Sequence, residues 1–135
     1  LAFTPLISYS QGSWVNVTVQ ADQYSAETTW EISGQGQVVQ EGFPYSPYEL
    51  RDQIVLLPAG DYTFTIYDEF GDGICCGFGE GWFSLSNTCG LDTSVYNFDG
   101  DSLVIPFTLE PCQLPISVTS CLLTLTTSVY PLGLS

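Results

Sequence analysis

Asp61-Tyr-Thr-Phe-Thr-Ile-Tyr67 runs directly into Asp68-Glu-Phe-Gly-Asp-Gly-Ile-Cys-Cys-Gly-Phe-Gly-Glu-Gly-Trp82. In the first stretch Tyr62, Phe64 and Ile66 face one way and Thr63, Thr65 and Tyr67 the other, which is the pattern of a half-buried antiparallel strand. The second stretch is built differently. Between Tyr67 and Trp82 lie five glycines, four carboxylates and a vicinal cysteine pair. Glycines reach backbone conformations that other residues avoid, so such a segment can curl tightly. Carboxylates gathered by the curl repel one another unless a cation sits between them.

Working outward, the same period-2 alternation recurs and helical periodicity is essentially absent. It predicts further strands near 14–20, 28–33, 37–41, 53–57, 82–86 and 103–109. Gly34-Gln-Gly36, Pro44 to Pro47, Pro58-Ala-Gly60 and Asn97-Phe-Asp-Gly100 supply the turns between them. In 103–109 the apolar residues Leu103, Ile105, Phe107 and Leu109 share one face, and Pro106 on the other marks a sheet edge. Seven or eight short strands in 135 residues predict an all-β, antiparallel two-sheet β-sandwich of jelly-roll or immunoglobulin-like type. Residues 14–110 form that module. The segments 1–13 and 111–135 contain no charged residue and are rich in apolar or β-prone residues, as an assembly strand requires. An exposed strand of that kind invites aggregation, so each end either completes its own sandwich or adds to a neighbour's sheet.

Composition excludes several function classes. Fifteen acids face a single base, Arg51, for a formal charge of −14. That field repels phosphate backbones and anionic lipids, so no nucleic-acid partner and no membrane insertion are expected, and no apolar run reaches the length of a spanning helix. Without histidine there is no Ser-His-Asp relay and no histidine metal site, and without lysine no Schiff base. Carboxylate-only glycoside hydrolysis is the remaining enzymatic option, but nothing marks one acid for a raised pKa. The expectation is a non-enzyme.

Five cysteines, Cys75, Cys76, Cys89, Cys112 and Cys121, point to an oxidising, extracellular compartment. The expected pairings are Cys75 or Cys76 with Cys89, and Cys112 with Cys121, leaving one odd thiol. Asn16-Val17-Thr18 is an acceptor triplet for an N-linked glycan, and the alternation in Trp14–Gln20 places Asn16 on the face away from the valines, toward solvent. No signal peptide is visible, so the chain is expected to begin as a mature protein or a fragment.

The glycine loop offers a candidate calcium site. Asp68, Asp72 and Gly73 match positions 1, 5 and 6 of an EF-hand loop, and Glu80 falls one past position 12. Phe70 stands at position 3 and neither flank is helical, so this is no EF-hand. A sandwich-loop Ca2+ site would use Asp68 and Asp72, with Asp22 or Glu27 from the upstream acidic strand. The competing reading is that both aspartates make Asx turns before glycine. Tyr45, Tyr48, Phe78 and Trp82 beside the loops suggest a sugar-stacking platform, whereas Trp30 and Phe83 read as core.

The stretch from Pro58 to Leu85 resembles a repeated extracellular module of algal, especially diatom, and marine bacterial surface proteins, with a hallmark close to PGDYTFTIYDSYGDGICCGYG. Ala21 to Ile32 is similar to that module's acidic strand, so the resemblance extends from Val19 to Leu85. It implies a secreted, non-catalytic β-sandwich. Many such modules carry a cysteine just before the Pro-Gly-Asp-Tyr strand, where this chain has Val55-Leu-Leu57. The usual partner of the vicinal pair is therefore missing. Together these readings predict a structural subunit that assembles with itself head to tail by strand donation, or else a calcium-dependent carbohydrate-binding or adhesion module with glycans as partners.

Overall fold

A computed structural model describes residues 12–42, 45–74, 79–96 and 98–114. Eight strands alternate along the chain: β1 (Gly12–Gln20), β2 (Thr28–Gly34), β3 (Gln37–Gly42), β4 (Leu50–Pro58), β5 (Gly60–Asp68), β6 (Trp82–Ser86), β7 (Asp92–Val95) and β8 (Ser102–Leu109). One 3₁₀ turn, Ser25–Glu27, precedes β2. The strands form two four-stranded antiparallel sheets, in the orders β4-β1-β6-β7 and β3-β2-β5-β8. The two-sheet sandwich is the architecture expected from the alternation. Strand β7 is the addition. Its four residues, Asp92-Thr-Ser-Val95, are too short and polar to show a period, and they are strand because they pair with β6.

The inward faces follow the sequence pattern. Val15, Val17 and Val19 of β1 face Ile32, Phe64 and Ile66 of the other sheet across a single buried core. Three rings bridge the layers: Phe64 lies 5.5 Å from Trp30 and 5.3 Å from Phe83, centroid to centroid. All three side chains are fully buried. Truncating such a ring to alanine costs roughly 3–5 kcal/mol, so this trio fixes the spacing of the sheets. Pro106 sits in β8, an edge of its sheet among the described residues, where a missing amide leaves no gap in a ladder.

The two ends of the sandwich are distinct. At one end lie Gly12 of β1, the β4–β5 turn at Pro58–Gly60, and the exit of β8 after Leu109. Here the Cys112 amide donates to the Gly12 carbonyl (3.1 Å), Ser13 Oγ to the Glu110 carbonyl (2.6 Å), and Trp14 Nε1 to the Gln113 carbonyl (3.1 Å). The segment 111–114, read from sequence as the start of a tail, is thus fastened to the body. A disulfide joins Cys89, in the β6–β7 turn, to Cys112. This corrects the expected pairings: Cys89 does not take Cys75 or Cys76, and Cys112 does not take Cys121. Proximity in sequence was the wrong guide, because the sheet topology brings the β6–β7 turn and the β8 exit to the same end. Asp68 to Ile74, which lead to the vicinal pair, lie at the other end. Cys75, Cys76 and Cys121 themselves lie outside the described residues.

Candidate metal centre

At that other end β5 finishes on Asp68, directly opposite Thr28 at the start of β2. Asp68 continues the inward register of Phe64 and Ile66, so a carboxylate is carried into the end of the core, where it is only 3 % exposed. Its Oδ2 accepts from the amides of Asp72 (2.8 Å) and Gly73 (2.6 Å), and its own amide donates to the Asp101 carbonyl (2.8 Å). The loop is therefore wound around this one side chain. Gly73 permits the winding: its φ is +76°, and a Cβ there would strike the Phe98 carbonyl. Ile74, fully buried, then anchors the loop in the core, and its carbonyl accepts from the Gly81 amide (2.8 Å).

The 3₁₀ turn delivers the second acid. The Glu27 carbonyl accepts from the Glu69 amide (3.1 Å), which ties the turn to the loop. Carboxylate oxygens of Glu27, Asp68 and Asp72 all lie within 4.8 Å of one another. Asp72 is exposed, Glu27 half-buried and Asp68 buried, so the cluster opens to solvent on one side. Asp22 stands next to it. It is 5 % exposed, its Oδ1 accepts from the Tyr24 amide (2.9 Å), and it feels the charge of Asp72 while its own charge acts on Glu27.

The electrostatics are unfavourable as they stand. Burial pushes the Asp68 carboxyl above its ordinary value, the Asp72 carboxyl pushes it further, and the two loop amides oppose the rise. Glu27 is raised by loss of solvent and then by the charges of Asp68, Asp72 and Asp22. Asp22 is raised by burial and by Asp72, against the Tyr24 amide. No basic side chain relieves them. The chain has one base, Arg51, and its guanidinium is held by Glu49 (2.9 and 3.1 Å) over the ring of Tyr45 (4.4 Å).

Of the residues singled out from sequence, Asp68, Asp72 and Glu27 come together and Asp22 borders them. Glu80 does not join. It is exposed beyond the loop, because the EF-hand count that selected it assumes a helical exit that this chain replaces with strand. Sequence reasoning missed Thr28. Its place in the Thr28-Thr-Trp-Glu-Ile32 alternation, on the face of Trp30 and Ile32, was the available signal.

Among the described residues the expected aromatic platform does not assemble. Tyr45 is 6 % exposed and its hydroxyl accepts from Trp30 Nε1 (2.9 Å), which makes it part of the core. Tyr48 is exposed, Trp82 packs against Tyr96 at 5.7 Å, and Phe78 lies outside the described residues. Asn16 is on the face away from the valines, as its register requires, but it is half-buried rather than solvent-facing. Its Nδ2 approaches Thr18 Oγ1 and Asp52 Oδ1, both at 3.4 Å, because β4 lies alongside.

No family model, curated protein or solved structure matches this chain.

One further surface is laid out by the fold. Strand β4 is an edge of its sheet among the described residues, and its outward side carries Leu50, Ile54 and Leu56, all more than half exposed. Beside Leu56 a groove of about 790 Å³ runs between Pro58, Gly12, Pro111 and Leu114.

Proposed function

We propose that this chain is a non-catalytic, secreted structural subunit that assembles with itself by strand donation into an extracellular filament or surface layer. The observation that carries the reading is the apolar edge of β4, unpaired among the described residues, beside a groove lined by Gly12 and Leu114. Gly12 and Leu114 both line that groove, and the chain beyond them, 1–11 and 115–135, contains no charged residue. An uncharged segment from one subunit supplies amides and carbonyls to the unpaired side of β4 in the next, and alternate apolar side chains cover Ile54 and Leu56. Such a contact is heterologous. Repeated head to tail it does not close, and so it propagates as a fibre. The resemblance to surface-protein modules supports the same setting, and an N-linked glycan on Asn16 belongs to this proposal.

The structure dictates how the donor should be removed. Truncation after Leu114 keeps Cys112 with its disulfide and the Gln113 carbonyl that Trp14 uses, so the body is left intact. Electron microscopy and sedimentation of the full chain are expected to show regular assemblies that the truncated chain lacks. The isolated 115–135 peptide, added in excess to the full chain, should shorten them by occupying β4. A full chain that remains monodisperse across concentration, or assemblies that persist after truncation, would sink the tail as donor.

A further inference from the structure

The acidic corner holds an observation that its carboxylates alone do not explain. Thr28 is 1 % exposed, and its Oγ1 is a buried polar atom with no hydrogen-bond partner. A hydroxyl in that state is unfavourable, and native interiors rarely leave one so. Register fixes the face on which the Thr28 side chain lies. Thr28 pairs with Asp68 across β2 and β5, and both belong to the buried, inward rows of their strands. Side chains directly opposite in an antiparallel pair stand about 5 Å apart at Cβ. The buried Thr28 side chain, with its orphan hydroxyl, therefore stands beside the Asp68 carboxylate, which already gathers Glu27 and Asp72.

We propose that Glu27, Asp68, Asp72 and the hydroxyl of Thr28 form a binding site for a calcium ion. Three carboxylates whose oxygens lie within 4.8 Å of one another, with no base in reach, are mutually compatible when a cation sits among them. The donor set is all oxygen, mixed between charged and neutral, and open to water on the Asp72 side. That suits a hard cation which accepts irregular coordination and several waters, and it lacks the imidazole or thiolate that zinc prefers. Occupation ties the 3₁₀ turn to the end of β5, and thereby closes the end of the sandwich opposite the disulfide. The site stands independently of strand donation, since all four residues lie within one copy of the body.

The test is calcium titration of the chelated full-length protein in 150 mM NaCl, a salt level that suppresses diffuse attraction to a chain of charge −14. Thermal midpoints and terbium luminescence are the readouts. The expected result is a saturable rise in midpoint of several degrees, with half-saturation in the sub-millimolar to millimolar range typical of extracellular modules. Asp72→Asn, at an exposed position that leaves the fold undisturbed, should remove that response. Thr28→Val should weaken binding about tenfold while leaving the chelated midpoint unchanged or higher, because it deletes an unsatisfied hydroxyl. Asp92→Asn, exposed at the far end, should behave as the parent protein. An absent or non-saturable response would overturn the assignment. So would an equal response in Asp72→Asn, or Thr28→Val binding calcium as tightly as the parent.

Discussion

At the Gly12 end of the sandwich a covalent bond and three hydrogen bonds between neutral groups hold the chain, whereas at the Asp68 end the loop is wound on a carboxylate crowded by other carboxylates. The first end is closed by the protein's own atoms. The second is half-closed: its amide bonds favour the fold and its charges oppose it. A disulfide acts chiefly by limiting the unfolded chain, and it is indifferent to ions. A carboxylate cluster acts through the folded state alone, so its contribution depends on pH and on what cation is present. The contrast is between a fixed fastening and a conditional one.

The largest expected effect breaks the fixed fastening. Replacing Cys89 and Cys112 together by serine opens a loop whose ends are 23 residues apart. The chain-entropy estimate is a loss of about 3 kcal/mol, which in a domain of this size lowers the thermal midpoint by roughly 10 °C. Melting the double variant with calcium and with chelator sharpens the comparison. The two ends are far apart, so the calcium increment should survive the loss of the disulfide almost unchanged. An increment that vanishes with the disulfide would mean that the ends are coupled.

A pair of glycines gives the next effect. Gly73 and Gly90 both have positive φ, +76° and +113°, one in each end's loop. A Cβ at Gly90 meets nothing within 4 Å, whereas at Gly73 it meets backbone atoms of Phe98 and Asp99. Gly90→Ala should therefore cost only the conformational strain, about 1 kcal/mol, and Gly73→Ala roughly 2–3 kcal/mol. Denaturant melts measure both. Equal losses would show that the Asp68 loop yields as readily as the β6–β7 turn, against the winding around Asp68.

What sequence revealed, and what it hid, divides along similar lines. Alternation in Trp14–Gln20, Asp61–Tyr67 and Leu103–Leu109 exposed the strands and their inward faces, because burial on one side of a sheet imposes a period of two. The acids Asp68 and Asp72 were legible because glycine spacing betrays a tight loop. Pairings between distant segments were not. Cys89 and Cys112 meet only because the β6–β7 turn of one sheet and the exit of β8 in the other reach the same end of the sandwich, and Glu27 reaches Asp68 only through a 3₁₀ turn too short to leave a periodic mark. Thr28 was hidden for another reason. A threonine on a strand is unremarkable until its hydroxyl is found buried without a partner.

The smallest effect, and the one that separates the two ends most cleanly, is the pH dependence of the chelated protein. Asp22, Glu27 and Asp68 all have folded values raised above their ordinary ones, by burial first and then by neighbouring carboxylates, Asp72 acting on all three. The folded state therefore holds protons that the unfolded state has already released. Stability is greatest below the unfolded value, near pH 4, and declines as pH rises through the raised folded values. Glu49 works in the opposite sense. Its hydrogen bond from Arg51 lowers its value, so its contribution is present above the unfolded value and lost on acidification, but that pair is only half-buried and weak. In chelator the midpoint should thus fall by a few degrees between about pH 4.5 and about pH 7.5. Saturating calcium should flatten or reverse that slope, since the ion competes with protons for the same oxygens. Asp72→Asn should reduce the slope in chelator and abolish its response to calcium. A chelated midpoint that climbs through this range would mean that the cluster's repulsion is relieved in the folded state without an ion, and the Asp68 end would then be as self-sufficient as the disulfide end.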